Sequence, residues 1–277
     1  MGVDLAGKSV AITGASSGIG AATAVACAKA GMRVALFARR EDKLHLVRER
    51  VESAGGRAIV VVGSVDEDAD CARLIAETHD AFGTVDAVLA NAGYGVEVPT
   101  LDMADADIRA MFETNFYGSL RVLRPAVEIM RGQGAGGAGS RGHLMFVSSG
   151  LSKIGIPRFA AYSATKAAQD YFARAMRIEL AGEGIAVSSV HPVVTNTEFS
   201  EAAERRGKGP RVFTKRSPGG LTHSADTVAN AIVKRLRKGK GGEVWTSLPA
   251  RLGLGAAVMC PGMTDWAMGR MYRKRIG

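Results

Sequence analysis

Cysteine, histidine and long apolar runs are all scarce in this chain, and each shortage removes a class of protein. The three cysteines, Cys27, Cys71 and Cys260, stand far apart, have no C-x-x-C spacing and cannot all pair. That excludes a disulfide framework and leaves reduced thiols in a cytoplasmic protein as the expectation. The five histidines lack metal-ligand spacing, so nothing supports a metal centre. No uninterrupted apolar stretch reaches the roughly 18 residues that a spanning helix needs. Residues 1–8 lack the basic-then-apolar layout of a secretory signal. No nucleic-acid-binding motif, internal repeat or dividing linker is visible.

What is present is ample material for one core: 277 residues, of which 47% are apolar. The net charge of +9 is unevenly placed, with 16 Lys and Arg against 5 Asp and Glu from Ser200 onward. A basic C-terminal quarter suits an anionic membrane, an acidic carrier or coenzyme, or simply a solvated surface with cofactor-phosphate contacts. The last of these is the simplest reading.

Short apolar runs alternate with helix-length segments. Residues 8–13, 33–37, 57–62, 85–90, 143–147 and 185–191 read as strands, and 243–246 as a seventh. Between them, 19–30, 43–54, 69–82, the region around 108–129, and 162–179 read as helices. Alternation with near-continuous Val, Ile, Leu and Ala strands predicts an α/β, doubly wound, Rossmann-like parallel sheet covered on both faces. The glycine-rich stretch 132–142 reads as a surface loop within one domain. The long polar stretch 198–220 follows the sixth strand, at the carboxyl edge of the sheet, and reads as a substrate lid.

Between the first strand and first helix lies Thr13-Gly14-Ala15-Ser16-Ser17-Gly18-Ile19-Gly20. Glycines at such a turn let backbone N–H groups approach a pyrophosphate at the helix N-terminus. The second strand runs into Leu36-Phe37-Ala38-Arg39-Arg40, with no acid before Glu41. An acid there would bond a ribose 2′-hydroxyl, whereas Arg39, with Arg40 beside it, suits a 2′-phosphate; NADP(H) is therefore expected. Further on, Tyr162 and Lys166 stand four apart on one helix face, with Ser148 and Ser149 upstream. A lysine ammonium beside a phenol favours the phenolate, so the pair can give and take a proton.

With this T-G-x-x-x-G-x-G loop and several motifs later in the sequence, the chain resembles the short-chain dehydrogenase/reductase family, over about residues 8–197. Asn91-Ala92-Gly93 resembles the family's N-A-G element, Asn115 its active-site asparagine, and Ser149, Tyr162 and Lys166 its catalytic residues. Pro192 to Thr197 resembles the segment beside the nicotinamide, with Thr195 and Thr197 as hydroxyls there. The resemblance implies that Tyr162 is the general acid/base and that Ser149 holds the substrate oxygen. Lys166 would tune Tyr162 and hold the nicotinamide ribose, while Asn115 would organise a water linking Lys166 to solvent. Cofactor contacts would come from Gly14, Ser16, Ser17, Gly18, Ile19, Gly20, Ser64, Val65, Asn91, Ala92, Gly93, Pro192, Tyr162 and Lys166. Two positions depart from the family pattern: Ser64 stands where an aspartate is common, and Val193 where glycine is usual.

By the same resemblance, substrate contacts fall in 94–98, 150–159 and 198–220. Tyr94, Leu151, Ile154, Ile156, Phe159 and Phe199 make that an apolar pocket or ordinary packing. A hydrophobic alcohol, ketone or aldehyde is expected, with a 3-oxoacyl thioester on an acyl carrier or coenzyme A as the alternative, and a non-catalytic dinucleotide sensor as an alternative of another class. Relatives form homodimers or homotetramers through the helices around 108–129 and 162–179. Residues 1–246 are expected to form the catalytic domain. Residues 247–277 form an extension, apolar and basic, that covers the pocket, packs on a subunit or touches a membrane surface. Pro261-Gly262 breaks it, which argues against one continuous amphipathic helix.

Overall fold

The computed structural model describes residues 2–134, 140–193 and 223–276. Seven strands form one sheet: β1 (Ser9–Thr13), β2 (Arg33–Ala38), β3 (Arg57–Val62), β4 (Ala87–Ala90), β5 (Gly142–Val147), β6 (Ile185–His191) and β7 (Gly242–Trp245). Their order is β3-β2-β1-β4-β5-β6-β7 and every pairing is parallel. The chain thus winds outward from β1 in one direction and from β4 in the other. Their shared edge is a topological switch point, where the carboxyl ends of the strands open a crevice.

Two apolar layers sandwich the sheet, because alternate strand residues point to opposite faces. Ala35 and Phe37 join the layer made with α3 (Asp68–Phe82), α5 (Gly118–Gly132) and α6 (Ala160–Glu179). Val34 and Leu36 join the layer made with α1 (Gly18–Lys29), α2 (Glu41–Ser53) and a further helix, α7 (Ala225–Lys238). This α7 is not among the elements expected from the sequence, although its signals are ordinary. Ser224 caps it by accepting from the Thr227 N–H, Val228, Ala229, Ile232, Val233 and Leu236 line one stripe, and Gly239 ends it at φ 61°.

The helix expected around 108–129 divides. After α4 (Asp105–Phe112) come five residues of π-helix, Glu113–Tyr117, before α5 begins at Gly118. A π turn re-aims the residues it carries, and Asn115 is one of them. The C-terminal extension forms two helices, α8 (Leu248–Met259) and α9 (Pro261–Ile276), broken before Pro261. Thr264 Oγ1 reaches back to the Ala257 and Cys260 carbonyls and holds the bend. In α8, Leu254 Cδ1 lies 3.1 Å from where a β-carbon on Gly150 would sit.

Candidate active site

The glycine loop has little room for side chains. Gly14 and Gly18 adopt φ of 63° and 55°, which favours glycine. A β-carbon on Gly20 would fall 2.3 Å from the Gly14 carbonyl oxygen, so α1 lies directly against the turn. No side chain caps α1 and no acid stands in its first turn, whereas α2, α3 and α4 each begin with acids. An uncapped, acid-free helix start beneath glycines fits a pyrophosphate.

Asn91, Ala92 and Thr13 serve to hold that loop. The Asn91 and Ala92 N–H groups both donate to Thr13 Oγ1, and Asn91 Nδ2 donates to the carbonyls of Thr13 and Gly14. Ser16 and Ser17 face Arg40, whose Nη2 donates to their hydroxyls at 2.9 and 3.0 Å. Arg39 instead borders a groove with Asp66, Tyr94, Glu113 and Thr114. Ser64 accepts the Asp66 N–H on its hydroxyl, and its own N–H donates to Asp70. Val65 is buried and in contact with Gly118. Ile19 packs on the core.

The structure brings Ser149, Tyr162, Lys166 and Asn115 together from three elements, the end of β5, α6 and the π turn. Ser149 follows β5 and its hydroxyl accepts the Leu151 N–H while hydrogen-bonding Tyr162. Neighbouring Ser148 is committed to the Lys166 carbonyl, a structural bond. Lys166 lies four residues after Tyr162 on α6, with Nζ 5.7 Å from the phenol ring centre. Asn115 on the π turn exchanges two 2.9 Å bonds with the Tyr94 backbone and donates to Thr165 Oγ1. Gly93 lacks a β-carbon where one would meet Asn115 Oδ1 at 2.8 Å, so only glycine lets the asparagine approach.

Burial sets the proton affinities of the central pair. It pushes the Tyr162 phenol up to about 12, against the lowering influence of Ser149, and brings Lys166 down to about 7. Both shifts penalise the charged form. Burial thus favours the protonated, proton-donating form of Tyr162.

The wall beside Tyr162 is apolar: Tyr94, Val96, Val98, Leu151, Ile156 and Phe159 form one cluster with it. Ile154, grouped with these in the sequence, is not part of that cluster. Sequence reasoning missed the ion pair that joins the two wall segments. Arg158 and Glu97, both buried, meet at 3.3 Å, and the Arg158 carbonyl accepts the Val98 N–H, with the Arg158 backbone at φ 69°. It also missed the support behind Ser149. His191, fully buried, lies 3.2 Å from the Ser149 carbonyl and 3.4 Å from Asp170. Asp170, His191 and Glu243 cluster closely enough to resemble a metal site, but Lys153 Nζ lies between the two acids at 2.6 and 2.8 Å. Pro192 accepts the Gly150 N–H. Thr195, Thr197, Phe199 and the 198–220 lid lie outside the described residues.

Known proteins place the chain by sequence and fold. The family model described as short chain dehydrogenase matches residues 8–207. A glucose 1-dehydrogenase of Gluconobacter oxydans (strain 621H) is 37% identical over 70% of this chain and 73% of its own. An 11-beta-hydroxysteroid dehydrogenase A of Sesamum indicum is 33% identical over 97% and 76%. The crystal structure of a short-chain type dehydrogenase/reductase from Mycobacterium marinum superposes with a TM-score of 0.77 at 28% identity, covering 87% of this chain and 94% of that one. With the parallel sheet, the glycine loop and the four converging side chains in place, the chain belongs to the short-chain dehydrogenase/reductase family, oxidoreductases that act on alcohols and ketones with a nicotinamide dinucleotide.

Proposed function

We propose that this protein interconverts a secondary alcohol and a carbonyl on a largely apolar small molecule, using NADP(H), with Tyr162 as general acid/base. The observation that carries the reading is geometric: Tyr162 and Lys166 share one face of α6, Asn115 bonds Thr165 between them, and the apolar cluster of Tyr94, Val96, Leu151 and Phe159 lies against Tyr162. The bound dinucleotide would supply or accept the hydride. Gly14, Gly18 and Gly20 would admit its pyrophosphate, and Arg39 and Arg40 with Ser16 and Ser17 would hold a 2′-phosphate. In reduction, Ser149 fixes the substrate oxygen and Tyr162 passes its proton there as negative charge builds. In oxidation the transfer reverses.

The apolar wall suits a ring system such as the steroids named for one relative better than the sugar named for the other. A panel with a ketosteroid, an aliphatic ketone, a 3-oxoacyl thioester and glucose, read by NADPH absorbance, tests this. Turnover lost in Tyr162→Phe supports the assignment. A silent panel with tight NADPH binding would favour a dinucleotide sensor.

A homo-oligomer is part of the proposal. Tyr117, Tyr171, Phe172 and Ile178 are exposed on the outer faces of the π turn and α6, where relatives associate. Light scattering checks it, and a monomeric mass would remove it. For the extension, the contact of Leu254 with Gly150 supports packing at the pocket. Among the described residues no helix is long and apolar enough to cross a membrane.

A further inference from the structure

Gln169 follows Tyr162 and Lys166 on the same face of α6, seven and three residues on, and is fully buried. Its Oε1 accepts from Lys166 Nζ at 3.0 Å. Its Nε2 donates to the Asn115 main-chain carbonyl at 2.6 Å and to Ser119 Oγ at 2.7 Å. Ser119 Oγ in turn donates to that same carbonyl at 2.7 Å. The amide can stand only this way round. Reversed, it would set an NH2 group against an ammonium and an oxygen against a carbonyl.

Lys166 has a second fixed acceptor in the Val147 carbonyl of β5, at 2.8 Å. Two of its three N–H bonds thus point to rigid partners on β5 and α6, which directs the third. The Asn115 carbonyl accepts from both Gln169 and Ser119.

We propose that Gln169 is a positioning residue of the proton-transfer site, its side-chain amide clamping Lys166 to the Asn115 carbonyl. The inference rests on the reading of Tyr162 and Lys166 as the proton-transfer pair. An amide holds a proton donor in place but has no titratable proton of its own to pass on, so this link is a clamp and not a relay. The groups facing Lys166 Nζ are Tyr162 from its own helix, Val147 from β5, Gly93 from the loop after β4, and Gln169. Of these only Tyr162 titrates.

The test is the protonation midpoint of Lys166 in the full-length protein, measured without any substrate. Competitive labelling with acetic anhydride across a pH series, with the Lys166 peptide read by mass spectrometry, gives that midpoint. In Gln169→Leu the ammonium loses an acceptor, and the midpoint falls by about one pH unit. In Gln169→Glu a carboxylate faces the ammonium, and the midpoint rises by about one unit or more. Simple loosening of the core would hydrate the lysine and raise both. Shifts of opposite sign support the clamp; unchanged midpoints, or shifts of one sign, overturn it. Gln169→Met repeats the apolar arm if the leucine variant fails to fold, as judged by thermal melting. Turnover surviving in Tyr162→Phe would remove the underlying site reading without touching the labelling result, so the two failures are distinct.

Discussion

Removing the two guanidinium groups after β2 is the sharpest test of cofactor choice. Arg40 already spans Ser16 and Ser17 at the glycine loop, and Arg39 stands beside it at the groove. A ribose 2′-phosphate brings a charge approaching −2 and three acceptor oxygens to this corner. A hydrogen bond to a charged group is worth about 1.5–3 kcal/mol. Both arginines are exposed, so solvent and salt screen them and the lower part of that range applies. At about 1.5–2 kcal/mol each, Arg39→Ala or Arg40→Ala should weaken NADPH about 10- to 30-fold. The double variant should lose at least about 100-fold if the two act independently. NADH, lacking the phosphate, should change less than about threefold. Fluorescence titration of both nucleotides at two salt concentrations measures this, and wild-type NADPH binding should fall with salt more steeply than NADH binding or than NADPH binding by the double variant. Equal losses for the two nucleotides, or a wild-type preference for NADH, would refute the reasoning.

Other consequences arise from particular contacts. Gly20→Ala places a methyl 2.3 Å from a backbone oxygen; it should cost about 2–3 kcal/mol, lower the melting temperature by roughly 5–10 °C, and abolish thermal stabilisation by NADPH. His143 is buried, paired with Ser188, and brought down to about 3 by burial and by Arg235 and Arg177. The folded state therefore keeps it neutral while the unfolded chain takes up a proton below its ordinary 6.5, so stability drains as pH falls from there toward about 3. Between pH 6.5 and 4.5, urea midpoints should show wild type losing about 2–3 kcal/mol more than His143→Gln; parallel losses would contradict it. Leu254→Asp puts a carboxylate against Gly150 without entering the sheet. It should lower kcat/KM about 3- to 10-fold at unchanged circular dichroism, and full activity would show that α8 does not bear on the catalytic loop.

Much of this molecule is written in short-range pattern. Seven apolar runs separated by helix-length segments are enough to anticipate a parallel sheet, because buried parallel strands need no alternation and each demands a crossover. The Tyr162 and Lys166 spacing and the Thr13–Gly20 loop are likewise local, so they can be read before any contact is known. What escaped depends on contacts between distant parts. Gln169 is an unremarked helix residue until Asn115, 54 positions earlier, is set against it. Glu97 and Arg158 become a pair only when two loops meet over Tyr162. The π turn that re-aims Asn115 has no composition of its own, since its five residues would pass as ordinary helix. Asn91 also holds Thr13 and Gly14 through its backbone and side-chain N–H groups, a role that only the β1–β4 adjacency reveals.

The imidazole of His191 lies flat on the Trp245 indole, with ring centres 4.6 Å apart and planes 14° from parallel. The same imidazole touches the Ser149 carbonyl. The chain holds only one other tryptophan, Trp266, out on exposed α9. A displacement of the serine loop on filling the pocket would therefore be felt by one aromatic stack whose emission depends on its imidazole neighbour. With Trp266→Phe as background, the protein carries its own optical gauge of the catalytic loop and needs no attached dye.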